Sequence, residues 1–223
     1  MFTYLALNIL TVSVPLLRSF ESKINFVSKF KSLFTAIFST AAVFLIWDYF
    51  FTKNEVWSFN HDYVVGVFFF GMPMEEWMFF ITIPFACIFI YEVYKYFNDS
   101  SRFNKYFYIF SIALAAVLFS FGISNMDKIY TSITFVSTAL FLSGVAIFRF
   151  KQIANFFISY FIAIIPFLIV NGILTSLPVV EYNNSENLSI RIFSIPIEDT
   201  MYMLLLLLMN VVIYEWLKSK RDA

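Results

Sequence analysis

The stretch Phe70–Glu92, FGMPMEEWMFFITIPFACIFIYE, places a proline and an acidic pair in strongly apolar sequence. It returns 123 residues later, without a gap, as FSIPIEDTMYMLLLLLMNVVIYE, Phe193–Glu215. Pro73 aligns with Pro196, Glu75 with Glu198, Glu76 with Asp199, and Tyr91 and Glu92 with Tyr214 and Glu215. The apolar residues between them drift while these hold their places. Charge in such a setting is costly, so its repetition asks for a reason.

Composition makes the setting a bilayer. The chain is 61% hydrophobic and 13% charged, with 32 phenylalanines in 223 residues; a soluble domain is about half apolar and a quarter charged. Net charge is zero, so no global field points to nucleic acid. Cys87 is the only cysteine and lies in an apolar run, which excludes a disulfide framework and a cysteine metal site. Five glycines form neither GxGxxG nor a P-loop. The N-terminus lacks a basic n-region and a small-residue cleavage site, so it reads as a retained first helix.

Hydropathy predicts seven spans, at roughly 2–17, 32–51, 64–95, 106–124, 129–148, 153–177 and 196–217. The third would exceed about 40 Å as one straight helix, against about 30 Å of hydrocarbon. Pro73 offers a break, so Val64–Met72 is expected to be a re-entrant or interfacial segment and the span to begin at Pro73. Pro84 and Pro166 lie inside spans and are expected to kink them. Loops on one side carry Arg18, Lys23, Lys29, Lys31, Lys95, Arg102, Lys105, Arg149 and Lys151, with Lys218, Lys220 and Arg221 in the tail. The other side has Lys53, Lys128 and Arg191. That asymmetry predicts a multi-pass protein of the cytoplasmic membrane with its N-terminus outside and its C-terminus in the cytoplasm.

The repeat reaches beyond the motif. At the same offset Phe44-Leu45-Ile46 matches Phe167-Leu168-Ile169, Asp48 matches Asn171 and Thr52 matches Thr175. Helices 2–3 thus correspond to helices 6–7 and helix 1 to helix 5, with helix 4 between. The expected fold is all-α integral membrane: two parallel three-helix repeats, residues 1–98 and 126–223, joined by a linker helix at 99–125. Such halves should meet with their motifs facing a shared cavity.

Asp48 lies about 25 Å along helix 2, near the depth at which Glu75 and Glu76 enter on helix 3. By the repeat, Asn171 meets Glu198 and Asp199, so two equivalent polar clusters are predicted. No lysine or arginine occurs at that depth, and at least one acid per cluster is expected to be protonated at neutral pH. Each acid costs about 2.5–3.5 kcal/mol in mid-membrane. A single PxE would read as an ordinary helix start, with proline and acids in the first turn; repetition, and Asp48 at matching depth, argue for a site. Tyr91-Glu92 and Tyr214-Glu215 read instead as interfacial anchors, each with a lysine three residues on, Lys95 and Lys218. His61 has no partners at metal-ligand spacing, and no metal site is expected. Trp47, Trp77, Phe79, Phe80 and Tyr202 flank the acids; they suit packing, and their π faces could also stabilise a cation.

The paired motifs PMEE at 73–76 and PIED at 196–199 resemble those of the integral-membrane lycopene cyclases of the heterodimeric or fused type. So do PLLRSFESK after helix 1, Trp47-Asp48 and Asn171-Gly172. The resemblance covers nearly the whole chain. It implies conversion of the linear ends of lycopene to β-rings, giving γ- and β-carotene, by an isomerisation without net redox change. It further implies a lipophilic carotenoid substrate drawn from the lipid bilayer, association with other carotenoid enzymes, and no cofactor. The lack of GxGxxG separates the chain from the flavin-dependent lycopene cyclases. On this reading Glu75, Glu76, Glu198 and Asp199 are the catalytic acids and bases. Asp48, Asn171, Pro73 and Pro196 orient them, and Trp47, Trp77, Phe79 and Tyr202 stabilise the cation. Two alternatives stand beside it. A related enzyme could add water to a carotenoid end group, and a small 3+1+3 transporter shares the helix plan. A microbial-type rhodopsin, which would fit the span count, is discounted because helix 7 has no lysine between Pro196 and Leu217.

Overall fold

In lipid a backbone must satisfy its own hydrogen bonds, so apolar runs of this length become helices. The computed structural model describes residues 2–221. Seven α-helices follow in order: α1 Thr3–Arg18, α2 Phe30–Lys53, α3 Met74–Phe97, α4 Asn104–Ser124, α5 Ile129–Ile147, α6 Ile153–Ser176 and α7 Ile197–Arg221. All except α1 are long and apolar enough to cross a membrane, and α1 is a shorter apolar helix. The all-α membrane fold is therefore as expected from the sequence. Backbone helix continues through Pro84 of α3 and Pro166 of α6.

The third span starts where the break at Pro73 was expected to set it, with Pro73 capping a helix that begins at Met74. The stretch before Pro73 forms a 3-10 turn at His61–Tyr63 and then a hairpin of two short strands, β2 Phe68–Phe69 and β3 Met72–Pro73. A second hairpin pairs β5 Arg191–Ile192 with β6 Ile195–Pro196 ahead of α7. The tight turn of the first puts Phe70 at φ 53° and Gly71 at φ 81°, the left-handed pair that a two-residue hairpin requires. Phe193 repeats the conformation at φ 57°. Each motif proline is in extended conformation or ends its strand, where its missing N–H costs no ladder bond. The residue after it closes the hairpin: Met74 N–H donates to Val67 C=O at 2.8 Å, and Ile197 N–H to Ile190 C=O at 2.9 Å.

The helices pack with a local two-fold pattern. Within each half the first helix lies on the third, α1 on α3 and α5 on α7. Between halves the second helix of one meets the third of the other, α2 with α7 and α3 with α6. The remaining strands, β1 Trp57–Phe59 and β4 Val180–Tyr182, pair antiparallel, with Ser58 opposite Glu181. These two residues are themselves 123 positions apart, so each strand pairs with its own repeat. Helix α4 lies outside this arrangement, against α5. Gly122 permits that approach, since a Cβ there would sit 2.8 Å from Val136 Cγ2.

At the opposite end from the hairpins, Glu92 accepts from Lys29, and from Lys218 at 2.8 Å. Glu215 accepts from Lys95 at 2.7 Å and from the Tyr91 hydroxyl at 3.0 Å. The expected pairing of Glu92 with Lys95 is thus exchanged across halves. The pair Lys218–Glu215 exists at 3.7 Å, but the closer bonds tie α3 to α7.

Candidate active site

Helix α3 starts at Met74 and α7 at Ile197, so the two acids of each motif fall in the first turn and point in different directions. The first acid faces its own loop. Glu75 Oε1 accepts Val65 N–H at 2.6 Å, and Glu198 Oε1 accepts Leu188 N–H at 2.8 Å. Both bonds reach back ten residues and hold the chain that leads into the hairpin. Thr131 adds its hydroxyl to Glu198 Oε1 at 2.6 Å. The second acid of each motif, Glu76 and Asp199, faces the centre of the molecule.

There the two predicted clusters face one cavity of about 60 Å³ between the halves, where a shared cavity was expected. Glu76, Asp199, Asp48 and Asn171 all line it, together with Tyr202 and Phe79. The four polar residues are buried. Trp47 and Trp77, also expected at the site, stand outside it. Trp77 packs edge-on to Phe69 and beside Phe70 of the hairpin. Trp47 stacks on Phe44 at 5.5 Å and meets the Tyr202 ring edge-on at 5.4 Å, behind the wall. Pro73 and Pro196 end the hairpins and do not line the cavity.

Four aromatic residues complete the site without having been singled out from sequence. Tyr4 donates its hydroxyl to Glu76 Oε2. Tyr130 donates to Asp199 Oδ1 at 2.5 Å, and Tyr182 to Asp199 Oδ2 at 2.8 Å. Trp57 meets Tyr130 edge-on at 5.2 Å and Tyr182 at 6.0 Å. Burial, with the Asp199 carboxyl beside it, holds the Tyr182 phenol well above the ordinary range, so it remains a donor. Tyr4 and Tyr130 carry out matching tasks from α1 and α5, yet they lie 126 positions apart. Alignment at the motif's offset sets Tyr4 against Asp127 and hides the correspondence. A separate comparison of YLALN at Tyr4 with YTSIT at Tyr130 is the signal that would have found it.

The two sides of the cavity are unequal. Asp199 receives three donors, because Asn171 Nδ2 also bonds its Oδ2 at 2.5 Å. On the other side the position of Asn171 is taken by Asp48, and that of Tyr182 by Phe59. Asp48 Oδ2 and the Tyr202 hydroxyl are buried there without a protein partner, which leaves hydrogen-bonding capacity directed at the cavity. Among the described residues no group of three His, Cys, Asp or Glu side chains could hold a metal ion.

Two apolar grooves flank the cavity. One, of about 500 Å³, runs between α1, α3 and α6 and includes Ala86, Phe167 and Val170. The other, of about 770 Å³, runs between α2, α5 and α7 and includes the matching Met209, Phe44 and Trp47. Phe167 lines both its groove and the acid cavity, whereas Phe44 lines its groove alone.

A carboxyl pair enclosed by aromatic rings, in a helical membrane protein built from two repeats, is what the sequence resemblance leads one to look for. The family model for lycopene cyclase matches residues 1–94 and 127–217. The chain belongs to the lycopene cyclase family. The unmatched interval contains α4, the helix that contributes nothing to the cavity of this family member. The start of the second matched segment falls 126 residues after the start of the first, the spacing of Tyr4 and Tyr130. No curated protein and no solved structure matches the chain.

Proposed function

We propose that the protein is a lycopene β-cyclase, an isomerase that closes the linear ends of lycopene to β-rings. One observation carries the reading: Glu76 and Asp199, from equivalent places in the two motifs, face the same buried, aromatic-walled cavity. Cyclisation needs an acid and a base on one end group. A carboxylic acid adds a proton to the terminal double bond, leaving a tertiary cation. The neighbouring alkene attacks that cation and forms the ring bond. A carboxylate then removes a ring proton, so one proton enters and one leaves and no redox cofactor is consumed. Positioned acid–base groups supply about 10²–10⁴-fold in rate, and water must be kept from the cation. Burial of the cavity supports the second requirement. A carboxylic acid is weak for protonating an alkene, and the π faces of Tyr130, Trp57, Tyr202 and Phe79 offset this by stabilising the cation, by about 2 kcal/mol for a desolvated contact.

A cavity of about 60 Å³ is far below the roughly 300–1,000 Å³ of a ligand site, so a carotene end group must displace wall residues. The substrate is an apolar chain dissolved in the bilayer, and Phe167, shared with the lipid-facing groove, is the side chain whose rotation joins the two spaces. On the same reading residues 1–98 and 126–223 are the two cyclase repeats and 99–125 the linker. The loop charges support a cytoplasmic-membrane location with the N-terminus outside.

The test is expression in lycopene-accumulating cells with chromatography of the pigments. Appearance of γ- or β-carotene is the expected result. Unchanged lycopene with the protein present in the membrane overturns the proposal, and a hydroxylated product favours water addition instead.

A further inference from the structure

The local two-fold symmetry of the backbone is not carried through to the chemistry of the cavity. At the position shared by Asp48 and Asn171 one half has a carboxyl and the other an amide. At the position shared by Phe59 and Tyr182 one half has a hydrocarbon ring and the other a hydroxyl. These four residues line the same space. Their effect on the motif acids is opposite. Asp199 accepts from Tyr130, Tyr182 and Asn171 together. An ionised carboxylate is acceptor-only and satisfies all three donors at once, whereas a protonated one has to turn a hydrogen toward one of them. Glu76 has one such donor, Tyr4; Asp48, which accepts from Trp57, lies within its electrostatic reach, as does Asp199 across the cavity. Asp48 Oδ2 has no protein partner although the residue is 1% exposed. Two neighbouring buried carboxyls with few donors are best satisfied by sharing one proton.

We propose that the cavity is a single, polarised site in which the Asp48–Glu76 pair delivers the proton, Asp199 removes one from the ring and returns it to the pair across the cavity before the next turnover, and Tyr182 and Asn171 are positioning residues for Asp199. This rests on the cyclase reading and adds a direction to it. The end group lies with its terminal double bond toward Asp48 and Glu76 and the ring proton to be lost toward Asp199. Only one end of a symmetric substrate can occupy such a site at a time. The two rings are then made in two separate visits, and the singly cyclised carotene is an obligatory released intermediate.

The test uses the full-length protein in membranes, with lycopene supplied in vesicles and rates normalised to protein amount. Asp48→Asn keeps the shape and removes the proton; Asp48→Glu keeps the carboxyl. The expected result is that Asp48→Asn falls at least 100-fold in kcat with KM within twofold of the parent, while Asp48→Glu retains at least a tenth of the parent rate. Tyr182→Phe is expected to lower kcat about tenfold, again with KM held. A time course with a chase of unlabelled lycopene should dilute the label passing from γ- to β-carotene. Equal rates for Asp48→Asn and Asp48→Glu, or an Asp48→Asn variant at the parent rate, overturn the assignment. So does a labelled β-carotene yield untouched by the chase. A parent protein that leaves lycopene unchanged defeats the cyclase reading itself, an outcome distinct from all of these.

Discussion

Tyr130 gives its hydroxyl to Asp199 at 2.5 Å from the first turn of α5, and Tyr4 serves Glu76 in the same way from the first turns of α1. Both tyrosines are almost fully buried, so neither hydroxyl is open to bulk water. Hydrogen bonds to charged groups contribute about 1.5–3 kcal/mol. Tyr130→Phe should therefore slow cyclisation by roughly ten- to a hundredfold while the protein still enters the membrane. Pigment conversion normalised to protein on an immunoblot measures it.

The two acids of each motif should separate in a paired experiment. Glu76→Gln and Asp199→Asn act on groups that line the cavity, and each is expected to lose at least about 100-fold in rate with little change in melting temperature. Glu75→Gln and Glu198→Gln weaken the bonds to Val65 and Leu188. These should lower the melting temperature in detergent, at a cost of about 1–3 kcal/mol, and reduce the rate less. Melting curves and rates on the four variants decide between the two effects.

Cutting the chain between α4 and α5 tests where the site lies. Every cavity function is divided between halves: Tyr4, Asp48 and Glu76 come from one, Tyr130, Asn171, Tyr182 and Asp199 from the other. Residues 1–125 and 126–223 co-expressed as two chains are expected to convert lycopene, and either fragment alone to leave it unchanged.

Glu92 accepts from two lysines on different helices, and its side chain is only 4% exposed. Removing the carboxylate leaves Lys29 and Lys218 facing each other at one end of the bundle. Glu92→Gln should cost about 1–3 kcal/mol of stability, seen as a lower melting temperature, with the kcat of the surviving protein unchanged because the pair lies away from the cavity.

Gly122→Val forces a side chain into Val136 and the Ser132 carbonyl. Overpacking of this kind costs about 1–3 kcal/mol. The expected result is a lower melting temperature, again with the rate per folded molecule retained, since α4 supplies no cavity residue.

The sequence made the helices and the motif acids legible for one physical reason: charge and proline stand out against hydrocarbon. Pro73 marked the start of α3, but the hairpin ahead of it was obscured because Val67, Phe68, Phe69 and Met72 supply the apolar content of a span. Only Gly66 and Gly71, both at positive φ, hint at the turns that interrupt it. Depth in the membrane could be counted from residue number, which put Asp48 level with Glu76. Rotation about the helix axis could not be read so directly. Neighbouring residues diverge by about 100° on a helix, and that angle sends Glu75 to its loop and Glu76 to the cavity. The tyrosines were hidden by a change of three residues in the spacing of the repeats. The exchange of partners between Glu92 and Glu215 depends on how two helices cross, which spacing along one helix does not encode.

The pairing of β1 with β4 has a bearing on ancestry. A strand that meets its own duplicate in antiparallel register, centred on Ser58 and Glu181, has the geometry of an interface between two identical subunits, now written into one polypeptide. In such a dimer both flanks of the cavity would have been alike, with one residue type at positions 48 and 171 and another at 59 and 182. In a single polypeptide those positions are free to differ, and they do: aspartate and asparagine at 48 and 171, phenylalanine and tyrosine at 59 and 182. One covalent chain thus holds two like scaffolds around a cavity with unlike ends.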